Sequence, residues 1–136
     1  MTRIAAALAL ATVLLAPLPG QAQDDALSAA EFDAYTRGKT FHYGAGDGPY
    51  GAEEYLDDRR VIWSFLDGKC KKGRWFEQDD MICFVYGDTP EPQCWSFFAG
   101  PGGLVARYQN GPAQTTLYEL SQSRDPMLCL GPDVGV

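Results

Sequence analysis

Short runs of apolar residues, separated by turn-forming residues, make up the chain beyond Gly38. Each run is rich in aromatic and β-branched residues, as is typical of strands. We predict eight strands, at residues 39–43, 51–56, 60–66, 70–76, 81–86, 93–98, 104–108 and 115–120. The segments between them are short and contain Gly, Pro, Asp and Asn, so they cannot supply the crossovers that parallel strands need. The sequence therefore predicts a mainly β fold, an antiparallel up-and-down meander of seven to eight strands.

Three hairpin turns predict the registers of the central strands. The expected pairs are Phe65–Cys70 and Trp63–Lys72 around residues 67–68, Arg74–Cys83 and Trp75–Ile82 around residues 77–80, and Cys83–Cys94 and Ile82–Trp95 around Thr89. Because side chains alternate along a strand, one predicted face collects Val61, Trp63, Phe65, Cys70, Cys83, Val85, Cys94 and Phe98. The other face collects Trp75, Ile82, Phe84, Tyr86, Trp95 and Phe97. Both faces are apolar, which predicts either a closed barrel or a strongly bent half-barrel.

One short helix is predicted ahead of the strands, at about residues 28–37. Ser28 followed by Glu31 forms a capping-box pattern, and Gly38 suits the left-handed position that ends a helix. The residues between them carry a broad apolar stripe, which favours docking of the helix on the sheet.

The first residues predict export from the cytoplasm. Arg3 is followed by an apolar run at residues 4–15, and Gly20 and Ala22 are the small residues that signal peptidase prefers. The run is too short to span a bilayer, which needs about 20 apolar residues, and no cysteine before Cys70 could carry a lipid anchor. We predict a signal peptide at residues 1–22, a single β-rich domain at residues 23–136 with its C-terminal tail at 121–136, and a periplasmic or secreted location without a stable membrane anchor.

Charge narrows the choice of partners. Without Arg3 the predicted mature chain has 10 basic and 18 acidic residues, a net charge of −8. This sign repels phosphate backbones, so nucleic acid is not an expected partner.

The four cysteines are Cys70, Cys83, Cys94 and Cys129, and an even number in an exported chain predicts two disulfides. The hairpin registers favour a Cys83–Cys94 bond, which leaves Cys70 for Cys129. Cys70 lies on the same predicted face, so pairing with Cys83 or Cys94 stays open. The spacings do not fit a structural zinc site, and neither a metal nor a cofactor is predicted.

Candidates for catalysis are few. The chain has one histidine, His42, which could be combined with Asp47 and Ser64, although a lone histidine more often packs than reacts. Acids occur as Glu53–Glu54, Asp57–Asp58 and Asp79–Asp80, which would suit a hydrolase if two of them faced a cleft, but turn and surface roles are commoner. The basic residues Lys69, Lys71, Lys72 and Arg74 are expected to split between the two faces of their strand, as a solvated strand end or a small anion site. No catalytic residue is predicted.

Aromatic residues are the most informative candidates for a site. Trp63, Trp75 and Trp95, together with Phe65, Phe84, Phe97 and Tyr86, would either line an apolar ligand cavity or fill a small core. Barrels of eight strands have the size at which both arrangements occur.

Between Tyr50 and Phe97 the chain contains D-R-R-V-I-W-S-F, C-x-x-G-R-W-F, I-C-F-V-Y and P-Q-C-W. This pattern resembles small, signal-peptide-bearing proteobacterial proteins that are grouped as domains of unknown function. The resemblance implies export and a β-rich fold and transfers no catalytic residue. The helix followed by Gly38-Lys39-Thr40-Phe41 also resembles the opening of lipocalins, a short helix and then G-x-W, although this chain has no tryptophan there.

Together these observations predict a non-enzymatic periplasmic binding or accessory protein that holds a small apolar ligand or a partner protein. Two alternatives remain. One is a periplasmic enzyme inhibitor that inserts a rigid loop, such as residues 88–92, into an enzyme. The other is a hydrolase based on Glu53, Glu54, Asp57 and Asp58.

Overall fold

The computed structural model describes residues 25–87, 89–111 and 115–130. The predicted signal peptide at residues 1–22 lies outside this part of the chain. Within it, no helix is both long and apolar enough to cross a membrane.

Eight antiparallel strands form a closed barrel in which every strand pairs with its neighbours in sequence and β1 pairs with β8. The strands are β1 (Lys39–Ala45), β2 (Gly48–Tyr55), β3 (Arg60–Ser64), β4 (Lys71–Gln78), β5 (Met81–Tyr86), β6 (Thr89–Gly100), β7 (Gly103–Tyr108) and β8 (Thr116–Ser123). This confirms the predicted mainly β meander and selects the barrel over the half-barrel. A short 3₁₀ helix at Asp57–Arg59 connects β2 to β3.

The predicted register between β3 and β4 is wrong by one residue. Trp63 pairs with Lys71, and Val61 pairs with Gly73. The connection is a longer loop in which the Ser64 hydroxyl accepts a hydrogen bond from the Leu66 amide and the Asp67 carboxylate accepts one from the Lys69 amide. Because a shift of one residue reverses the face of every side chain, Val61 and Trp63 point into the barrel with Trp75, not outward with the cysteines.

In the next two hairpins, each side chain lies on the face of the sheet that the sequence predicts. Trp75 pairs with Phe84 instead of Ile82, because Asp79 and Asp80 both adopt positive φ and close a two-residue turn. This error of two residues leaves the faces unchanged. The register of β5 and β6 is as predicted, with Cys83 opposite Cys94.

Helix α1 (Ala29–Thr36) closes one end of the barrel. It starts at the predicted capping box of Ser28 and Glu31, and Gly38 has a φ of +75°. Phe32 is completely buried and contacts the rings of Tyr55, Trp75, Phe84 and Phe97, with centroid distances of 4.5–6.4 Å. The helix is therefore a plug whose aromatic side chain fills the interior at this end.

Two disulfides join Cys83 to Cys94 and Cys70 to Cys129, as the sequence predicts. The second bond links the β3–β4 loop to the C-terminal segment. That segment runs along the outside of the barrel, where the Met127 amide donates to Glu54 Oε2 (3.0 Å) and the Leu130 amide donates to the Gly68 carbonyl (2.6 Å). The loop at the end opposite the helix is thus tied to the tail by one covalent bond and by hydrogen bonds.

Candidate functional site

The end of the barrel opposite the helix contains a cavity of about 90 Å³ that we call the mouth cavity. Its outer part is reached from solvent past Tyr50 and Phe65, which are 37% and 53% exposed. The residues that line it come from all eight strands and the β3–β4 loop: Tyr43, Tyr50, Glu53, Tyr55, Trp63, Phe65, Lys71, Phe84, Tyr86, Thr89, Gln93, Trp95, Phe97, Ala106 and Leu117.

Two of the three predicted ligand-binding tryptophans, Trp63 and Trp95, line this cavity. Trp75 does not line it: its side chain is buried at the helix end, 5.2 Å from the ring of Phe32, and the Arg59 guanidinium lies 4.5 Å from its centroid. The three predicted tryptophans thus lie in two places: Trp63 and Trp95 in the wall of the mouth cavity, and Trp75 in the filled core beneath the helix.

Around the entrance the aromatic rings form a continuous group. The centroid of Trp63 lies 6.0 Å from Tyr50 and 5.3 Å from Phe65, and the latter two rings are 5.9 Å apart. On the opposite wall, Trp95 packs against Tyr108 at 5.0 Å. These distances are typical of edge-to-face and tilted aromatic pairs, which hold one another in place.

A carboxyl group lies among these rings. Glu53 is only 2% exposed, and its two oxygens accept hydrogen bonds from the Tyr86 hydroxyl at 3.0 and 3.2 Å. Beside it, the hydroxyls of Tyr43 and Tyr55 bond to each other at 2.9 Å. The mouth cavity therefore combines aromatic walls with a small polar group of one carboxyl and three phenols.

Burial changes the acid–base properties of this polar group. Loss of hydration raises the pKa of Glu53 well above its ordinary value of 4.5, and the hydrogen bond from Tyr86 opposes this rise. Burial likewise raises the pKa values of Tyr43, Tyr55 and Tyr86, so these phenols remain hydrogen-bond donors. An apolar surrounding thus favours the neutral form of each group.

Two glycines on the inner face make room for the cavity walls. A Cβ atom on Gly51 would clash with the ring of Trp63, and one on Gly73 would lie 2.6 Å from Cδ1 of Tyr86. Gly73 therefore lets the Tyr86 ring lean across β4, from where its hydroxyl reaches Glu53. Glycine is the residue that permits such close approach between a strand and a neighbouring ring.

One basic residue, Lys71, lines the outer part of the cavity. It is exposed, and the structure records no ion pair between it and Glu53. Its neighbours Lys72 and Arg74 occupy positions that alternate with Gly73 and Trp75 and so face outward, as the sequence predicts for a split basic cluster. Lys69 lies in the β3–β4 loop.

The catalytic candidates from the sequence do not face one common site. Glu53 faces the interior, whereas Glu54 faces outward and binds the Met127 amide. Asp57 and Asp58 are exposed in the 3₁₀ helix. His42 is exposed and pairs with Ala52, and Ser64 lies one strand further along the sheet. In the described part of the chain, no three His, Cys, Asp or Glu side chains are grouped closely enough to hold a metal ion.

The segment considered as an inhibitory loop, residues 88–92, belongs mostly to β6. Asp88 lies outside the described residues, and Thr89 already pairs with Tyr86 across the turn. Pro90, Glu91 and Pro92 are exposed along the strand. The described part of this segment is therefore an exposed strand end and not a long projecting loop.

Sequence reasoning missed the inward position of Glu53. The signal was present in the alternation of β2, where Gly51 and Tyr55 flank Glu53 at two-residue spacing. The adjacent Glu54 made the pair resemble a solvated acidic patch, which concealed the one acid that faces the interior.

Comparison with known proteins gives no further guide: no family model, curated protein or solved structure matches this chain.

Proposed function

We propose that this chain is a non-enzymatic binding or accessory protein that works in the periplasm or outside the cell and holds a small ligand in the mouth cavity. The observation that carries the proposal is the contrast within one barrel: the helix end is filled by Phe32, while the mouth keeps an aromatic cavity that contains a buried carboxyl group. An apolar pocket with a few convergent polar groups is the usual form of a small-molecule site.

The size of the cavity limits the ligand. At about 90 Å³ it is smaller than the roughly 150 Å³ cavity that holds benzene and well below the 300 Å³ or more of typical drug-sized sites. The buried part of the ligand is therefore a group of only a few non-hydrogen atoms, and any larger part would extend past Tyr50 and Phe65 into solvent.

Two further features support this assignment. The two disulfides suit an oxidising compartment, in agreement with the predicted signal peptide. The Glu53, Glu54, Asp57 and Asp58 carboxyls lie apart, and a hydrolase would need two acids facing one substrate. The same separation favours binding over carboxylate-based catalysis.

Native mass spectrometry of protein purified from its own host tests the proposal. We expect a bound small molecule on the wild-type chain and its loss from Ala106→Leu, because Ala106 is buried in the cavity wall and a leucine there would fill the space. The matched control Ala99→Leu changes an inward residue near the helix end and should keep the ligand. If the folded wild-type protein carries no ligand, or if both variants carry it equally, the mouth cavity is not the binding site.

A further inference from the structure

Glu53 has unused capacity to bind a ligand. A carboxylate offers about four lone-pair positions to hydrogen-bond donors, and the structure supplies one donor, the Tyr86 hydroxyl, which is shared between the two oxygens. No basic side chain of the described residues forms an ion pair with it, since the ion pair recorded there is Arg37–Asp33 on the helix. A buried carboxyl that faces a cavity without a cationic partner is complementary to a donor-rich, positively charged group.

The surrounding rings favour the same kind of ligand. Six aromatic rings line the cavity: Tyr50, Trp63 and Phe65 at the entrance, and Tyr86, Phe84 and Trp95 further in. Aromatic faces attract cations, and groups of such rings recognise ammonium ligands. The protein shows the same chemistry elsewhere, where Arg59 lies over Trp75 and Arg107 lies over Phe98 at 4.5 and 4.8 Å.

We propose that the mouth cavity binds a small organic cation, with its ammonium group hydrogen-bonded to Glu53 and its alkyl part against the rings of Trp63 and Trp95. This inference rests on the proposed function, since it names the chemical class of the ligand at the same site. The cavity volume fits an alkylammonium group of a few non-hydrogen atoms, whether it is a whole ligand or the end of a longer amine.

The positive charge of Lys71 would favour an anionic ligand over a cationic one, so this residue provides an internal control. It is exposed at the cavity mouth, where water and salt screen its charge, whereas Glu53 acts from a buried position. A cation should thus be held by Glu53 and only weakly repelled by Lys71. An anionic ligand would reverse both effects.

Binding should also release protons. Burial raises the pKa of Glu53 in the free protein, and pairing with an ammonium ion would lower it again, so binding releases protons at any pH where the free carboxyl is partly protonated. The other titratable groups that face Glu53 are Tyr43, Tyr55 and Tyr86, with Lys71 at the mouth. The phenols have raised pKa values, so they do not contribute protons near neutral pH.

Calorimetric titration with three ligands of matched size, butylammonium, 1-butanol and butyrate, tests the inference at neutral pH. For the wild-type protein we expect butylammonium to bind about 10- to 100-fold more tightly than 1-butanol, as a charge-assisted hydrogen bond implies. Glu53→Gln, which keeps the shape of the side chain, should remove this advantage and change 1-butanol affinity by less than about threefold. Lys71→Gln should tighten butylammonium binding slightly, because it removes a positive charge that repels the ligand.

The outcomes separate the two proposals. If 1-butanol binds as tightly as butylammonium and Glu53→Gln changes neither, the cavity binds ligands but the cation preference is wrong. If butyrate binds best and Lys71→Gln abolishes its binding, the site selects anions and the inference is overturned. If none of the three binds to folded wild-type protein, both proposals fail.

A measurement on the wild-type protein alone remains decisive if Glu53→Gln does not fold. Titration of butylammonium in two buffers of different ionisation enthalpy measures the protons exchanged on binding. Repeated at several pH values, the titration should show a net proton release with butylammonium that rises as the pH is lowered through the pKa of the free carboxyl, and no release with 1-butanol. Equal proton exchange with both ligands at every pH would show that Glu53 does not pair with the ammonium group.

Discussion

The two ends of this barrel are built from the same strands and the same kinds of aromatic residue, yet they differ in what fills them. At the helix end, Phe32 is inserted among the rings of Tyr55, Trp75 and Phe97 and the interior is closed. At the mouth no such plug is present among the described residues, and Glu53 lies buried beside open space. The difference indicates that the helix end contributes more to stability than the mouth, because a cavity and a buried carboxyl both reduce stability, and it supports our proposal that the mouth binds a ligand.

The largest effect is expected from removing the plug. Phe32→Ala deletes a completely buried ring and should lower the free energy of unfolding by about 3–5 kcal/mol. Phe65→Ala, at the mouth, removes a ring that is 53% exposed and should cost about 1 kcal/mol or less. Urea denaturation of both variants measures the difference, and similar losses at the two sites would contradict the division between a stabilising end and a binding end.

Loss of the Cys70–Cys129 bond should follow. It closes a loop with a sequence separation of 59, so the chain-entropy model predicts that replacing both cysteines by serine costs about 4 kcal/mol. The same replacement of Cys83 and Cys94, separated by 11 residues, should cost about 3 kcal/mol. Because Cys70 lies in the same loop as Phe65, only the first variant should also weaken ligand binding at the mouth. Equal effects of the two variants on binding would show that the Cys70–Cys129 bond does not hold the β3–β4 loop in place for the ligand.

The pH dependence of stability tests the buried position of Glu53. Burial raises its pKa in the folded state, so the folded protein binds the proton more tightly than the unfolded chain does. The stability that this group contributes is therefore fully present below its unfolded pKa of about 4.5 and is lost as the pH rises through the folded pKa. Relative to the wild type, Glu53→Gln should gain stability in thermal unfolding as the pH rises above about 4.5. Parallel pH profiles of the two proteins would show that Glu53 is hydrated.

The smallest effect concerns the start of the helix. Ser28→Ala removes the hydroxyl that accepts a hydrogen bond from the Glu31 amide and should cost about 1 kcal/mol, while Ser28→Thr should keep most of the cap. Neither variant should alter binding at the mouth, since the helix closes the other end. A change in ligand affinity with Ser28→Ala would mean that the two ends are coupled.

Alternation and turn residues predict most of this fold from the sequence. All eight strands, the capped helix and the Cys83–Cys94 register follow from local patterns, because strand periodicity and capping depend on neighbouring residues. The register errors occur where a connecting segment can form more than one kind of turn. The segment 65–70 forms local hydrogen bonds instead of a two-residue turn, which moves Trp63 from the outer to the inner face.

The candidate site was predicted only in part, for a related reason. Composition and spacing identify Trp63 and Trp95 as candidate cavity residues, but they do not distinguish these two from Trp75. Trp75 is excluded from the cavity because it packs against Phe32 of the helix, and the place of the helix is known only once the barrel is closed. The inward direction of Glu53 follows from the β2 pattern. Its hydrogen bond to Tyr86, 33 residues away in sequence, depends on the barrel bringing these strands to the same cavity.

The three tryptophans allow the central claim to be tested in one experiment. Trp63 and Trp95 line the mouth cavity and Trp75 lies beneath the helix, so their indole N–H signals in an NMR spectrum report on the two ends separately. On titration with butylammonium, we predict that the signals of Trp63 and Trp95 shift in a saturable manner while that of Trp75 stays in place. Shifts of all three signals by similar amounts, or none at all, would contradict a binding site confined to the mouth of the barrel.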